Sequence, residues 1–129
     1  MKTITLDGKK YSEREIAALK EDYMRLEAVD KCFALELLVK DKAYLIRCAV
    51  ARKHFGHDLL IHDENWRVRA TVAQYTHKRE ILETLAHDAH DFVRFVVAKR
   101  GVALEHLSQD IDEEISSIAK YQLQQLEVA

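Results

Sequence analysis

The chain of 129 residues has no proline and only three glycines. Proline removes a backbone hydrogen-bond donor and glycine has a high conformational entropy, so each of them interrupts helices. Their scarcity, together with many Ala, Leu, Glu, Lys and Arg residues, favours helix. Because this length fits one domain of ordinary size, the sequence predicts a single all-α domain over residues 1–129.

Cysteine is also scarce, since only Cys32 and Cys48 are present, in different segments. Two cysteines cannot make a disulfide framework, and they are too few for a cysteine-based zinc or iron–sulfur site. We therefore expect no cofactor, and free thiols in a reducing cytoplasm. The sequence has no apolar run long enough to span a bilayer and no apolar secretion signal after Met1, so we expect no membrane partner and a cytoplasmic location.

The sequence also lacks a large excess of charge of one sign, and it lacks catalytic motifs. The net charge at pH 7 is −2, which gives no overall attraction to nucleic acid or to anionic membranes. The sequence has no glycine-rich phosphate loop and no nucleophile elbow. Ser108 lies near His106, but nothing in the sequence arranges them as a catalytic triad. We therefore expect a protein that is not an enzyme.

Residues 1–11 differ from the rest of the chain. Polar and apolar residues alternate over Thr3–Leu6, Asp7-Gly8 is a typical hairpin turn, and the segment after it can return as a second strand. A lone hairpin is marginally stable in water, so we expect it to lie against the helices. A loose N-terminal arm is the alternative.

A capping box is indicated by Ser12-Glu13-Arg14-Glu15, in which the serine and Glu15 satisfy each other's backbone amides. We predict a helix from Ser12 to about Ala28, within N-terminal capping helices over residues 12–34. The predicted apolar stripe of that helix is Ile16, Leu19, Tyr23 and Leu26.

From residue 35 to about residue 126 the chain repeats itself roughly every 22 residues. The unit is Leu-x-x-Leu-x-x-Asp, four further residues, an apolar-Arg pair and a small apolar cluster ending in Val-Ala. Its aspartates are separated by 22, 25 and 22 residues. The four copies are Leu35, Leu38, Asp41, Ile46-Arg47 and Val50-Ala51; His57, Leu60, Asp63, Val68-Arg69 and Val72-Ala73; Leu82, Leu85, Asp88, Val93-Arg94 and Val97-Ala98; and Leu104, Leu107, Asp110, Ile115-Ser116 and Ala119-Lys120.

Each unit has the chemistry of two short helices. The Leu-x-x-Leu motif forms one face of the first helix, and the aspartate ends that helix and caps the next one. Val68 and Val72 follow helical spacing in the second helix, and the small alanine after the valine lets neighbouring helices approach closely. One unit cannot bury its apolar face alone, so the copies are expected to stack.

This pattern resembles the HEAT-like helical repeats, and most closely their short form, the leucine-rich repeat variant. The resemblance is carried by segments such as residues 82–98 and covers about residues 35–126. It implies a short right-handed α-solenoid, here preceded by a small β-hairpin, and families of this kind are mostly protein-binding scaffolds. The proline-containing connectors of the variant family are absent, as is the cysteine cluster with which some members bind iron–sulfur.

Arginine recurs at one position of the unit, and two interpretations are open. The arginines could form a basic row that binds phosphates or acidic peptides. Alternatively, each could bond the aspartate of its own or a neighbouring copy, which is the interpretation that the resemblance favours. The fourth copy has Ser116 in place of arginine, as suits a terminal copy. The predicted structural ladder is Asp41, Arg47, Asp63, Arg69, Asp88 and Arg94.

Two groups of histidines have spacings that could present ligands to a metal. Gly56 interrupts the first group and Asp88 interrupts the second, so we predict solvated or capping histidines and no metal site. The groups are His54, His57 and His62 with Asp58 and Asp63, and His87 with His90.

Tyr44, Trp66 and Phe92 occupy nearly the same position at the start of the second segments. An exposed aromatic row could bind a partner, or the same side chains could seal the core between copies. Tyr75 and Tyr121, near the ends of these segments, are similar candidates.

The sequence thus predicts a non-catalytic scaffold for protein–protein interaction, monomeric or weakly dimeric, whose protein partner is unidentified. Its binding surface is expected on one face of the second helices, with Trp66, Arg67, Gln74, Tyr75, Lys99 and Arg100 as contacts. The alternative function is binding to the phosphate backbone of nucleic acid through a local basic patch. That patch comprises Arg52, Lys53, Arg67, Lys78, Arg79, Lys99 and Arg100.

Overall fold

The computed structural model describes residues 1–128, which are mostly helical after a two-stranded hairpin. The strands are β1 (Thr3–Leu6) and β2 (Lys9–Ser12). The first helices are α1 (Glu13–Ala17), α3 (Leu35–Leu38), α5 (His57–Leu60), α7 (Arg79–Leu85) and α9 (Leu104–Leu107). The second helices are α2 (Asp22–Asp30), α4 (Tyr44–Arg52), α6 (Trp66–Tyr75), α8 (Asp91–Lys99) and α10 (Glu113–Val128).

The N-terminal hairpin is confirmed. The two strands are antiparallel, with Leu6 opposite Lys9, so the loop holds only two residues. Asp7 and Gly8 have φ angles of 51° and 76°, the positive values that the favoured two-residue hairpin turn requires. Leu6 is buried and β2 contacts α1, so the hairpin is anchored on the helices rather than forming a loose arm.

The predicted capping box is also confirmed. The Glu15 amide donates to Ser12 Oγ at 3.1 Å, and the Ser12 amide donates to Glu15 Oε1 at 2.7 Å. The Ser12 contacts lower the pKa of the Glu15 carboxyl, first through the bond from the Ser12 backbone amide. The box fixes the start of α1 directly after the hairpin.

The prediction of one helix from Ser12 to about Ala28 is wrong, because the chain breaks between α1 and α2. The break is held by Arg25, whose Nη1 donates to the carbonyl oxygens of Leu19 at 2.7 Å and of Lys20 at 3.3 Å. Because α2 is a separate helix and does not continue α1, its buried side differs from the predicted stripe and carries Arg25, Ala28 and Val29. Two residues of the predicted apolar stripe, Tyr23 and Leu26, are consequently exposed.

The second helices pack against one another in chain order, α2 on α4, α4 on α6, α6 on α8 and α8 on α10. The valine and alanine of the small apolar clusters, including Val97 and Ala98, are fully buried between them. Small side chains at these contacts let the helices approach closely, as the sequence predicts. Within residues 1–128, no helix combines the length and the apolar character that crossing a membrane would need.

The connections from second to first helices need no proline. The chain enters α3, α5 and α9 through Ala34, Gly56 and Ala103, whose φ angles are 60°, 71° and 55°. Each of these connections contains a second residue of positive φ two positions earlier, at Cys32, His54 and Gly101. At Gly56 an added Cβ would lie 2.6 Å from Val39 Cγ2, so glycine also provides room for the packing of the preceding copy.

Candidate functional site

Four arginine–aspartate pairs connect consecutive helix pairs. In each pair the arginine lies on a second helix, and its Nε donates to aspartate Oδ2 at 2.7–2.8 Å while Nη2 donates to Oδ1 at 3.1–3.3 Å. This bidentate geometry makes strong and directional ion pairs. The pairs are Arg25–Asp41, Arg47–Asp63, Arg69–Asp88 and Arg94–Asp110.

Each arginine within the repeated segment makes a third bond, to the backbone of its own copy. Arg47 Nη1 donates to the Asp41 carbonyl oxygen at 2.7 Å, six residues earlier, while its carboxylate partner is Asp63 in the next copy. Arg69 and Arg94 repeat this arrangement. The arginines therefore bond the carboxylate of the following copy and the backbone of their own.

The sequence prediction placed the recurring aspartates at the helix caps, and the structure modifies this. Each aspartate Oδ1 accepts from the backbone amide two residues later at 2.9 Å, and that later residue stands at the start of the second helix. In α6 and α8 the capping side chains are Asn65, which accepts from Arg67, and His90, which accepts from Phe92. The aspartate thus fixes the turn before the cap instead of capping the helix itself.

Sequence reasoning missed Arg25 and gave Asp110 no partner. The signal for Arg25 was its distance of 22 residues from Arg47, the period of the copies, but the segment around Arg25 lacks the Leu-x-x-Leu motif. Arg25 is the most buried of the four arginines, with 1% of its side chain exposed. The ladder therefore begins one helix pair earlier than predicted.

The ladder residues are already paired with one another. Bonds to aspartate raise the pKa of Arg25, Arg47 and Arg94 above the ordinary arginine value, against the opposing effect of burial. Burial acts to raise the pKa of Asp110, but the Arg94 bond and the Asp112 amide outweigh it and lower that pKa. Paired in this way, the recurring arginines form a structural link and not a basic row that faces solvent.

Both ends of the ladder are closed by neutral residues. Leu19 stands where a preceding aspartate would lie, and Ser116 stands where a following arginine would lie. We expect Ser116→Arg to change the free energy of unfolding by less than about 0.5 kcal/mol, because Ser116 is partly exposed and its hydroxyl bonds only within its own helix. Urea denaturation measures this, and a loss above about 1 kcal/mol would show that the Ser116 hydroxyl bond to the Glu113 carbonyl matters.

The second helices also carry large apolar side chains that face solvent. We call the exposed side of these helices the outward face. Tyr23 is 64% exposed, Leu45 54%, Phe92 39% and Tyr121 62%. Shallow grooves between adjacent second helices run along this face, one of them lined by Tyr23, Leu26, Ala49 and Arg52 of α2 and α4.

An aromatic row crosses the starts of α4, α6 and α8. Trp66 stacks on His90 with ring centroids 4.2 Å apart and meets Phe92 edge-on at 5.6 Å. The Arg67 guanidinium lies 4.6 Å from the Trp66 ring centroid and 5.4 Å from that of Tyr44. The three aromatic residues that the sequence aligned are thus brought together, and Phe92 remains the most exposed part of the row.

The six predicted contact residues fall into two groups at opposite ends of the second helices. Trp66 and Arg67 begin α6, whereas the other four residues lie at or near the ends of α6 and α8. Arg100 donates to the carbonyl oxygens of Ala73, Gln74 and Thr76 at 2.8–3.0 Å, so its guanidinium caps the C-terminal end of α6. The end groups are Gln74 with Tyr75 and Lys99 with Arg100.

Several members of the predicted basic patch have acidic or carbonyl partners. Lys53 lies 3.7 Å from Asp30, Lys78 lies 3.6 Å from Asp58, and Arg79 Nε donates to Glu83 at 3.1 Å. These contacts and the carbonyl bonds of Arg100 reduce the positive charge that the patch can offer to phosphate.

The histidines form different groups from those indicated by spacing. The ring centroids of His54 and His77 are 4.8 Å apart and the rings are stacked, while the ring centroids of His54 and His57 are 5.9 Å apart. His57 Nε2 lies 2.8 Å from the Ala51 carbonyl oxygen. The ring centroid of His87 lies 4.0 Å from that of His106. His90, which the sequence grouped with His87, instead caps the start of α8. In the part of the chain that the structure describes, no group of three or more His, Cys, Asp or Glu residues is arranged to hold a metal ion.

The geometry separates two sets of side chains. The arginine–aspartate ladder is largely buried and joins the helix pairs, whereas the outward face presents apolar and aromatic groups to solvent. No protein-family model, curated protein or solved structure matches the chain. The function is therefore inferred from the outward face.

Proposed function

We propose that the chain is a non-catalytic right-handed α-solenoid, similar to the leucine-rich repeat variant form of HEAT-like repeats, and that it binds another protein through its outward face. The observation that carries this proposal is the exposure of Tyr23, Leu45, Phe92 and Tyr121 on four of the five second helices. Apolar patches on a protein surface are typical of protein-binding sites. Aromatic residues are also enriched among side chains that dominate binding energy.

The packing order of the second helices supports the solenoid. Each second helix contacts the next along the chain, and each ladder pair joins one copy to the following one. A repeat architecture of this kind exposes the same positions of every unit on a common surface. The exposed positions 23, 45 and 67 are separated by 22 residues, which is the period of the sequence repeat.

The outward face favours a protein over nucleic acid. Its exposed apolar side chains offer nothing to phosphates, and acidic residues such as Asp91 and Glu114 lie among them, where they would repel phosphates. The net charge of −2 adds no general attraction to a polyanion.

The proposal is tested by capturing partners from a lysate of the source cell with the tagged chain, after nuclease treatment. We compare the unaltered chain with a Leu45→Glu/Phe92→Glu variant of the outward face. The matched control is Leu37→Glu/Leu59→Glu, which changes two exposed leucines of the first helices, 42% and 49% exposed. We expect a stoichiometric protein partner with the unaltered and control chains, and at least a tenfold loss with the outward-face variant.

Circular dichroism and thermal melting show whether each variant is folded. A partner that binds the outward-face variant as well as the unaltered chain would contradict the proposal. Capture that disappears on nuclease treatment, and that weakens steeply with added salt, would instead identify a phosphate-binding protein.

A further inference from the structure

The groove between α8 and α10 on the outward face has two chemically different ends. At the starts of the two helices it widens into a cavity of about 250 Å³. The cavity is lined by Asp91, Phe92, Phe95, Asp112, Glu114 and Ile115. This end therefore combines an aromatic floor with three carboxylates and contains no basic lining residue.

The aromatic floor is built from two rings of α8. The ring centroids of Phe92 and Phe95 are 5.8 Å apart and their planes differ by 22°, while Trp66 supports Phe92 from the side. Ring faces of this kind attract cations and also pack against the methylene stems of long side chains. The partial exposure of Phe92 leaves its ring accessible to such a side chain.

One of the three carboxylates is held in place by hydrogen bonds. Asp112 Oδ1 accepts from the backbone amides of Glu114 at 3.0 Å and Ile115 at 3.1 Å, which holds it at the start of α10. Asp91 begins α8, where its Oδ1 lies 3.3 Å from His90 Nδ1. Most of the Asp91 side chain is exposed to solvent.

The opposite end of the same groove carries positive charge. Here the groove forms a second cavity of about 340 Å³, lined by Lys99, Ser117, Ile118, Tyr121 and Gln122. Ile118 and Tyr121 give this end an apolar surface as well. A ligand that matches the groove is thus positively charged at one end, apolar along its length and negatively charged at the other.

We propose that this groove binds a segment of a partner protein that carries an arginine or lysine beside apolar residues. The stem of the basic side chain packs on Phe92 and Phe95, and its cationic head lies among Asp91, Asp112 and Glu114. An acidic residue of the same segment faces Lys99, which sets the direction of the segment along the groove. The inference rests on the proposed function and specifies the chemistry of the partner.

The test uses a display library of random 12-residue peptides selected on the immobilised full chain, followed by fluorescence anisotropy with the selected peptides. We expect enrichment of peptides in which a basic residue adjoins apolar residues. Replacing that basic residue by glutamate should weaken binding at least tenfold. Glu114→Gln and Glu114→Lys in the chain should weaken it progressively, and Glu114→Lys should recover affinity for the glutamate peptide.

The control is Glu105→Lys, which makes the same charge change at an exposed residue of α9 and should leave binding unaltered. Two results would overturn the inference and leave the proposed function standing. In the first, the selected peptides lose binding with Phe92→Ala but lack a basic residue. In the second, they lose binding with Phe92→Ala but bind the Glu114→Lys variant as tightly as the unaltered chain. A library that yields no peptide sensitive to Phe92→Ala would overturn the inference and count against the proposed function as well.

Discussion

Replacing Asp63 by alanine is expected to lower the free energy of unfolding by about 3–5 kcal/mol. Asp63 accepts two bonds from Arg47, at 2.7 and 3.1 Å, and a third from the Asn65 amide at 2.9 Å. Its removal leaves the guanidinium of Arg47, whose side chain is 11% exposed in the intact protein, with only the Asp41 carbonyl as its acceptor. Arginine cannot relieve this by losing its proton, so the cost is the desolvation of an unpaired cation.

Urea denaturation at neutral pH measures this loss. The matched control is Glu83→Ala, which removes the acidic partner of Arg79 in a pair whose side chains are 71% and 56% exposed. That change should cost less than about 0.5 kcal/mol, because solvent screens an exposed pair. If Asp63→Ala cost no more than Glu83→Ala, the ladder would not be what links consecutive copies.

Val97→Asp is expected to destabilise the protein by about 3 kcal/mol or more. Val97 is fully buried on α8, and the second helices on both sides, α6 and α10, pack against that helix. The substitution removes apolar contacts and places a carboxylate among buried apolar side chains, without a basic partner. Burying such a group costs several kcal/mol unless the surrounding helices separate to admit water.

Thermal and urea unfolding of the Val97→Asp variant test this expectation. Leu45→Asp is the control, because it makes a similar change on the outward face at a residue that is 54% exposed. Its effect should stay below about 1 kcal/mol. Equal stability of the Val97→Asp variant and the unaltered chain would show that the helix contacts around α8 are wrong.

The parts of the fold that the sequence predicted correctly depend on neighbours in the chain. The Asp7-Gly8 turn and the Ser12–Glu15 capping box involve residues at most three positions apart, so their chemistry can be read directly. The arginine–aspartate links join residues 16 or 19 positions apart. Spacing alone could not decide whether an arginine bonds its own copy or the next, because both lie within reach of its long side chain.

The outward face was harder to predict for a different reason. Apolar periodicity assigns apolar residues to the core, and it therefore placed Tyr23 and Leu26 in a buried stripe. The helix break at residues 18–21 gave α2 a new buried side containing Arg25. Folded proteins expose many apolar atoms, so exposure becomes visible only when the helix contacts are known. The period of 22 residues would have aligned Tyr23 with the exposed Leu45.

The ladder and the outward face would have separate roles under the proposed function. The largely buried arginine–aspartate pairs join each helix pair to the next. The exposed side of the second helices is therefore not needed to join them. Surface residues that contribute little to folding can then be apolar, at the risk of self-association.

Hydroxyl-radical footprinting of the chain with and without its captured partner tests the central claim most directly, because it reports the solvent exposure of individual side chains. We predict that the oxidation of Leu45, Phe92 and Tyr121 falls at least threefold in the complex, because partner contacts exclude water from their exposed surfaces. Leu37 and Leu59, exposed on the first helices, should be oxidised equally in both states. Protection of those two leucines, with the outward face unchanged, would contradict the account.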